Sequence, residues 1–365
     1  MSARRIDPAA IARLRAASQL LHRPAAAKDP AGIARAIGGA QAQDVYAGPL
    51  TFRSRSRRLT AADVKRARTE ERSLLRTWVM RKTIHLIPTE DADWWLPLFE
   101  PEIERWSRRR MSQLGLSEGQ QEKALSVIAA ALGEEGPLTR TEARERVARA
   151  GVELDPQTGM HLALTAVTSG IACLGPDRGS DSCLVRREDW LGKPGAFDRA
   201  SALAELARVY VGAFAPATDR DFAYWSGLPL RDVRAGLEGI AGELGEVHVG
   251  DETMLVPRAG LPRLPRKGQV RMLGNFDTYL LGWKDRRFSV ADEHELHVKE
   301  GGGGWIRPVL VEDGIVVGGW RSARRDGRLE VTLNLPKADR DRLRNAIRTE
   351  VADIARFEGI EARIS

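Results

Sequence analysis

Two stretches of similar design, GPLTRTEARERVARAG at residues 136–151 and APATDRDFAYWSG at residues 215–227, decide the fold. Each carries Pro-x-Thr with an acidic residue three positions after the threonine, which is the pattern of a capping box at a helix N-terminus. Each ends at a glycine, where a helix can stop in the left-handed conformation. The threonines, Thr139 and Thr218, are 79 residues apart, so the pattern predicts a repeated helical unit.

The residues after each stretch repeat as well. PQTGMHLALTAVTSG and then IACLGPDRGSDSCLVRRED follow the first stretch, and PLRDVRAGLEGIAGEL and then GEVHVGDETMLVP follow the second. Both orders predict a second helix and a strand-turn-strand. Helix, helix and hairpin is the order of a winged helix-turn-helix motif.

The N-terminal region predicts a third copy. Asp7-Pro8, Asp29-Pro30 and Thr60 are helix-start signals, because a capping side chain followed by proline or a good helix former opens a helix. RTWVMRKTIHLIP at residues 76–88 then predicts strand structure, since it is rich in β-branched and aromatic residues. The ordered repetition predicts three tandem winged helices.

The C-terminal third changes character after RAGLPRLPRKGQ at residues 258–269, a linker of proline, glycine and basic residues. Short apolar runs broken by EDG and RDG turns follow, and these predict a small antiparallel β-barrel. An amphipathic helix is predicted within residues 337–359. The expected fold is therefore α+β, with three winged-helix segments at 1–125, 126–200 and 201–260 and a barrel segment with a terminal helix at 261–365.

Composition is that of a folded, basic protein. The 365 residues are 42% hydrophobic and 29% charged, which is ordinary for a globular chain, and the N-terminus lacks the apolar core of a signal peptide. We therefore expect a cytoplasmic monomer without a membrane span. The net charge is +7, and 48 of the 57 basic residues are arginine. Arginine suits phosphate contacts, although a GC-rich genome would produce the same bias.

Cysteine and histidine spacing predicts no metal centre. Cys173 and Cys183 flank a predicted turn and could face each other across two strands, and we expect free thiols in a reducing cytosol. The stretch DEHELH, residues 292–297, contains Asp292, Glu293, His294 and His297. Its spacing fits no established ligand pattern, so a solvated turn is the favoured interpretation. No metal or organic cofactor is predicted.

Five fragments together carry a resemblance to a known family. They occur in the order GAQAQD (39–44), RTWVMRKTIHL (76–86), FAYWSGL (222–228), NFDTYLLGWKDR (275–286) and VVGGWR (316–321). The chain resembles the winged-helix DNA glycosylases of the AlkZ type from about Ile6 to Ala352. The resemblance implies three winged helices and a β-barrel around double-stranded DNA. It also implies a monofunctional glycosylase that hydrolyses the N-glycosidic bond of alkylated purines, including bulky or crosslinked ones.

The resemblance also assigns a catalytic pair. Gln41 and Gln43 match the family's Gln-x-Gln signature, with alanine where a larger aliphatic residue is usual. N7-alkylation makes a purine a cationic leaving group, so the enzyme must position a water and tolerate a cationic sugar. Neutral amides can do both. Asp44 is a candidate general base outside the signature. Without the resemblance, this spacing predicts only a helix cap or a solvent-facing pair.

Candidate DNA contacts cluster around the first wing. When residues 76–86 are read as one strand, Arg81 and His85 lie on one face and Lys82 on the other. The resemblance places this wing beside the lesion, with Arg76, Arg81, Lys82 and His85 on phosphate or the abasic sugar. The other interpretation is a strand with one core face and one solvated face. Glycine is commoner than lysine at position 82 in the family.

Outside the first wing, Arg53 is also predicted to contact backbone phosphate. Asp277, Tyr279 and Trp283 are predicted to serve in packing and hydrogen bonding rather than in catalysis.

A non-catalytic winged-helix regulator or architectural DNA binder is the alternative function. The sequence offers no coiled coil or dimerisation helix of the kind that binding a two-fold operator needs. The Gln-x-Gln pair also has no evident purpose in a regulator. The sequence therefore favours the enzyme.

Overall fold

The structure is a computed structural model that describes residues 4–22, 25, 28–43, 47–179, 181–298 and 305–364. It is an α+β protein, as predicted. Its helices are α1 (Pro8–Ser18), α2 (Pro30–Ala36), α3 (Ala47–Arg53), α4 (Ala61–Thr69), α5 (Ala92–Gln113), α6 (Glu118–Glu134), α7 (Arg140–Arg149), α8 (Pro156–Thr168), α9 (Arg187–Leu191), α10 (Arg199–Phe214), α11 (Asp219–Ser226), α12 (Leu230–Gly239), α13 (Glu295–Val298), α14 (Lys337–Arg342) and α15 (Arg344–Glu358).

Its strands are β1 (Arg4–Ile6), β2 (Ala40–Gln41), β3 (Leu74–Trp78), β4 (Ile84–Pro88), β5 (Ala172–Arg178), β6 (Asp181–Arg186), β7 (Leu244–Val249), β8 (Glu252–Pro257), β9 (Val270–Leu273), β10 (Val309–Glu312), β11 (Ile315–Arg325), β12 (Arg328–Asn334) and β13 (Ala362–Ile364).

The chain divides into two compact units. The first unit combines Met1–Ala67 with Leu203–Ser365, and the second is the continuous segment Arg68–Ala202. In the ranges that the structure describes, no helix has both the length and the apolar composition needed to cross a bilayer. The four-segment organisation expected from the sequence stays a prediction.

The predicted helix starts are confirmed. Asp7 accepts a hydrogen bond from the Ala9 amide at 3.0 Å, and Asp29 does the same for Gly32 at 2.8 Å. Thr139 and Thr218 each form a reciprocal capping box with the acidic residue three positions on. These caps satisfy amide groups that have no partner inside the helix.

The sequence repeat corresponds to a structural repeat. In the second unit, α7 and α8 precede the β5–β6 hairpin, and Leu138 pairs with Leu184 through hydrogen bonds of 3.0 and 2.7 Å. In the first unit, α11 and α12 precede the β7–β8 hairpin, and Ala217 pairs with Leu255 at 3.2 and 2.7 Å. In both cases the residue before the capping threonine adds a third, minimal strand to the hairpin.

Two sequence interpretations need correction in the second unit. Residues 76–86 are not one strand, because β3 ends at Trp78 and β4 begins at Ile84 across a tight turn. Cys173 lies opposite Val185 rather than Cys183; both thiols are buried and free.

The predicted antiparallel β-barrel is present in part, as a five-stranded half-barrel in the first unit with the order β13-β12-β11-β10-β9. Its edge strand β13 pairs with β12 in parallel. Its apolar face includes Met272, Trp320 and Val331 and packs with Ile347 and Ile354 of α15. The predicted turns are present, because the Asp-Gly pairs at 313–314 and 326–327 adopt positive φ.

The segment NFDTYLLGWKDR forms turns rather than a strand. A single turn of 3-10 helix covers Thr278–Leu280. Asp277, Tyr279 and Trp283 are fully buried, and the Trp283 indole donates to the Phe214 carbonyl at 3.0 Å. Their predicted role in packing and hydrogen bonding is confirmed.

Candidate active site

The Gln-x-Gln segment in the first unit starts at a double-glycine turn. Gly38 and Gly39 end α2 with φ of 75° and 80°, a conformation that glycine adopts without steric cost. The Gly39 amide donates to the Ala34 carbonyl at 2.7 Å. A Cβ on Gly38 would lie 2.8 Å from the Trp225 ring. The turn therefore needs glycine both for its backbone and for its contact with an aromatic side chain.

The two glutamines differ in environment. Gln41 is 5% exposed at the end of β2, whereas Gln43 is exposed at a bend. Of the two alternatives to a catalytic pair, a helix cap or a solvent-facing pair, the second is wrong for Gln41. Asp44, the candidate base, lies outside the described residues.

Close packing explains the alanine between the glutamines. Ala42 is 3% exposed, and a Cβ built on Gly48 of α3 would lie 3.0 Å from the Ala42 Cβ and 3.1 Å from its Cα. The first turn of α3 therefore occupies the space that a larger aliphatic residue would need. Sequence reasoning missed Gly48, although the Gly-Pro pair at 48–49 marks a special backbone position.

A buried ion pair anchors the end of α3. Both terminal nitrogens of Arg55 donate to the Asp277 carboxylate, at 2.9 and 2.8 Å, and both side chains are 0% exposed. Arg55 also donates to the Thr51 carbonyl at 3.0 Å and to the Gln19 amide oxygen at 3.1 Å. This bidentate geometry is the strongest form of an arginine–carboxylate contact, and it fixes the chain that follows the Gln-x-Gln segment.

Arg53 is buried and ion-paired inside the first unit, and its phosphate contact stays a prediction. The side chain is 1% exposed, and its Nη1 donates to Glu350 at 2.8 Å. Its Nη2 donates to the Met272 carbonyl. Burial by itself lowers the pKa of Arg53, but Glu350 and Asp353 outweigh burial and raise that pKa above its ordinary value. The positive charge of Arg53 is thus balanced by carboxylates inside the first unit.

The tip of the β3–β4 hairpin belongs to the second unit and carries two basic residues in strained conformations. Arg81 and Lys82 have φ of 54° and 62°, which is costly for residues with a Cβ. The Lys82 Nζ lies 3.6 Å from the Glu102 carboxylate and 5.3 Å from the centre of the Trp106 ring. Both basic side chains are half-buried.

Arg76 lies in the middle of the sheet and not at the hairpin tip. It is 8% exposed and donates to the Ser182 hydroxyl, which in turn donates to Asp177 at 2.6 Å. Burial lowers the pKa of Arg76 to about 10, and nearby Arg68 adds to this effect. Its phosphate contact stays a prediction; in this structure the guanidinium donates to a serine of β6, which lies two strands away from β3.

His85 is a buried neutral imidazole. It is 2% exposed; burial, assisted by the charge of Arg81, lowers its pKa to about 3. Its Nδ1 lies 3.0 Å from the Thr83 carbonyl. A carbonyl accepts, so Nδ1 carries the proton and Nε2 keeps its lone pair. The contact of His85 with phosphate or the abasic sugar stays a prediction, and a neutral imidazole would make it as a hydrogen bond rather than as an ion pair.

Comparisons with known proteins identify the family of this chain. A family model described as DNA glycosylase AlkZ-like matches residues 34–357, which include the Gln-x-Gln segment and both hairpin strands. The chain belongs to the AlkZ-like DNA glycosylase family. It is therefore a DNA glycosylase, a hydrolase that acts on N-glycosyl bonds.

A relative and a solved structure that are similar to this AlkZ-like glycosylase both come from Streptomyces sahachiroi. An interstrand DNA cross-link repair glycosylase is 31% identical over 308 residues, which is 79% of this chain and 80% of the relative. The solved structure of DNA glycosylase AlkZ is similar with a TM-score of 0.75 at 26% identity, covering 99% of this chain and 100% of that one. The resemblance found in the sequence is confirmed.

Within the described ranges of the AlkZ-like chain, no group of three or more His, Cys, Asp or Glu side chains could hold a metal ion. Asp292, Glu293 and His294 form one turn of 3-10 helix, and His297 follows in α13. The Nδ1 of His297 lies 3.4 Å from the Asn334 amide nitrogen. The amides of Gln41 and Gln43 remain the candidate groups for chemistry in the first unit.

Proposed function

We propose that this AlkZ-like glycosylase releases N7-alkylated purines, including bulky and crosslinked ones, from duplex DNA. The observation that carries the proposal is the pairing of a buried amide, Gln41, with an exposed amide, Gln43, on a segment fixed by Gly38 and Gly48. Such a segment presents polar groups in a set orientation before substrate arrives, which is the requirement for electrostatic stabilisation of a transition state.

The two amides have different tasks in this proposal. Gln43 faces solvent, so its amide can hold the water that attacks the sugar. Gln41 is held by its surroundings, so its dipole can face the positive charge that develops on the sugar without first reorganising. An N7-alkylated purine already carries a positive charge and leaves without being protonated. Neutral amides therefore suffice on the leaving-group side.

DNA contacts in this proposal come from the tip of the β3–β4 hairpin. Arg81 and Lys82 reach solvent there, whereas Arg53, Arg76 and His85 are buried. We further propose that the two helix–helix–hairpin repeats and the N-terminal helices with β3–β4 are three winged helices. A monomeric state and a cytoplasmic location stay predictions from the sequence. A non-catalytic regulator is not favoured, because the matched family consists of glycosylases.

Single-turnover excision tests the proposal. The substrate is a duplex with one N7-alkylguanine, and abasic sites are cut by heat or base after the reaction. Gln43→Ala should reduce base release about 10²-fold or more, while the free energy of unfolding changes by about 0.5 kcal/mol at most because the side chain is exposed. Gln41→Ala should lose a similar factor, and the double variant should lose little more, since both amides act on one step.

The matched control is Gln157→Ala, which removes an exposed glutamine amide from α8. It should excise at the wild-type rate. DNA affinity of all four variants should equal that of the wild type, because no charge changes. Wild-type base release by the double variant would remove the pair from catalysis. Loss of DNA binding or of folding in the double variant would show that the pair is structural.

A further inference from the structure

A polar pocket in the first unit lies outside the proposed active site. Its volume is about 460 Å³, and its polar lining consists of His22, Arg57, Arg263, Arg266 and Gln269. Two of the arginines come from the basic linker between β8 and β9. The third follows α3 in sequence. Residues from three separate parts of the chain therefore converge on one concave site.

The three arginines have no charge partner among the described residues. Their side chains are exposed, and in the described part of the chain none of them forms an ion pair or a side-chain hydrogen bond. Most arginines of this protein behave differently, as Arg53 and Arg55 illustrate with their carboxylate partners. Three guanidinium groups around one pocket repel each other, and an anion between them would relieve that repulsion.

His22 supplies a second, independent indication of a ligand. The side chain is 8% exposed, and its buried Nδ1 has no hydrogen-bond partner in the part of the chain that is described. Burial lowers the pKa of His22 to about 4, so the ring is neutral at pH 7. A buried polar atom without a partner is unfavourable, and this one belongs to a residue that lines the pocket.

The linker wall of the pocket is fixed in place before any ligand binds. Arg13 of α1 donates to the Pro265 carbonyl at 3.0 Å. The Asp313 carboxylate accepts from the amides of Gly268 and Gln269 at 2.9 and 3.0 Å. The Asp313 carboxylate is therefore bound by these two amides and not by the pocket arginines. The guanidinium groups remain available for a ligand, and the backbone that carries two of them is fixed in advance.

We propose that this pocket binds a phosphate group of the DNA backbone. Guanidinium groups bind phosphate oxygens in bidentate geometry, and the remaining lining residues, Leu264 and Pro265, offer no aromatic ring on which a base could stack. The pocket thus holds the backbone without reading sequence. This inference rests on the proposed function, because it takes duplex DNA as the ligand.

The test removes the positive lining and measures DNA affinity over a range of salt concentrations. The variant Arg57→Ala/Arg263→Ala/Arg266→Ala should make the slope of log affinity against log salt less steep by about 0.9, which corresponds to the loss of one phosphate contact. If the two proteins bind equally at 1 M salt, the variant should bind about eightfold more weakly than the wild type at 0.1 M salt. Arg266→Ala alone should show part of this loss. The matched control is Arg348→Ala, an exposed arginine of α15 outside the pocket, and it should leave the slope unchanged.

One further measurement separates the possible outcomes. Isothermal titration calorimetry with inorganic phosphate tests whether the pocket binds free phosphate rather than a phosphate of DNA. Loss of phosphate binding in the triple variant with an unchanged DNA slope would overturn the proposal in favour of a free phosphate. An unchanged slope without phosphate binding would overturn it altogether. If the wild type releases no base while the slope still becomes less steep, the pocket stands and the proposed reaction fails.

Discussion

Replacing His85 by leucine should make the fold less sensitive to acid. The folded protein holds this imidazole neutral, with a pKa of about 3 against 6.5 in a free side chain. Below pH 6.5 the imidazole of residue 85 binds a proton in the unfolded chain but not in the folded chain. The stability contributed by His85 is therefore complete above pH 6.5 and is lost as the pH falls towards 3. Leucine cannot titrate, so this part of the acid sensitivity should disappear.

The size of the effect follows from the shift. A pH of 5 lies 1.5 units below the pKa of the imidazole in the unfolded chain, so that imidazole is protonated. The imidazole in the folded chain is still neutral at this pH. At about 1.4 kcal/mol per unit, this lowers the free energy of unfolding by about 2 kcal/mol, whereas the loss at pH 7 is near zero. Between pH 7 and pH 5 the wild type should therefore lose about 2 kcal/mol more than His85→Leu. His22 still titrates in the variant, so some acid sensitivity remains.

Urea unfolding followed by tryptophan fluorescence at pH 7 and pH 5 measures the difference, provided that the slopes with urea agree. The Thr83 carbonyl keeps the Val79 amide as a donor after the substitution, at 3.1 Å. The control is Leu86→Val, which weakens the same strand and retains His85. An equal loss of stability in wild type and His85→Leu would refute the neutral buried imidazole.

Three other outcomes are expected. Asp277→Asn should lower the free energy of unfolding at pH 7 by about 3–5 kcal/mol, since it leaves the buried Arg55 without its counter-ion; a loss below about 1 kcal/mol in urea would contradict this. Lys82→Gly should change thermal stability by no more than about 1 kcal/mol, because relief of the left-handed strain offsets the loss of contacts with Glu102 and Trp106. The same variant should weaken DNA binding in fluorescence anisotropy, and unchanged affinity would remove Lys82 from the interface. Excision should persist in EDTA, and activity lost to the chelator and restored by one divalent ion would reveal a metal requirement.

Local signals in the sequence were sufficient for the helix starts and several turns. Asp7, Thr139 and Thr218 cap helices through atoms within three residues, so the sequence pattern contains the whole interaction. The same holds for the Asp-Gly turns, whose positive φ is a property of the dipeptide. The repeat was predictable because these short signals recur in the same order.

The sequence alone did not distinguish the buried, ion-paired arginines from those at the surface. Arg53 and Arg57 lie four positions apart, yet one pairs with Glu350, 297 positions away, and the other faces a pocket. The guanidinium of Arg76 likewise donates a hydrogen bond to a serine from another strand. The role of an arginine depends on contacts with residues far away in the sequence, and composition gives no information about those contacts. The catalytic pair came from the resemblance, and the packing of Gly48 on Ala42 became visible only in three dimensions.

The interruption of the first unit by the second has a consequence for biosynthesis. The ribosome releases residues 4–67 and then the 135 residues of Arg68–Ala202 before the first unit resumes. At about 5–20 residues per second, this delay lasts roughly 7–27 s. During this delay β1 cannot pair with β7 and Arg53 cannot pair with Glu350, because both partners are not yet synthesised. We expect the inserted segment to fold first, so that a nascent chain arrested within it is structured there while its Gln-x-Gln segment is still immature.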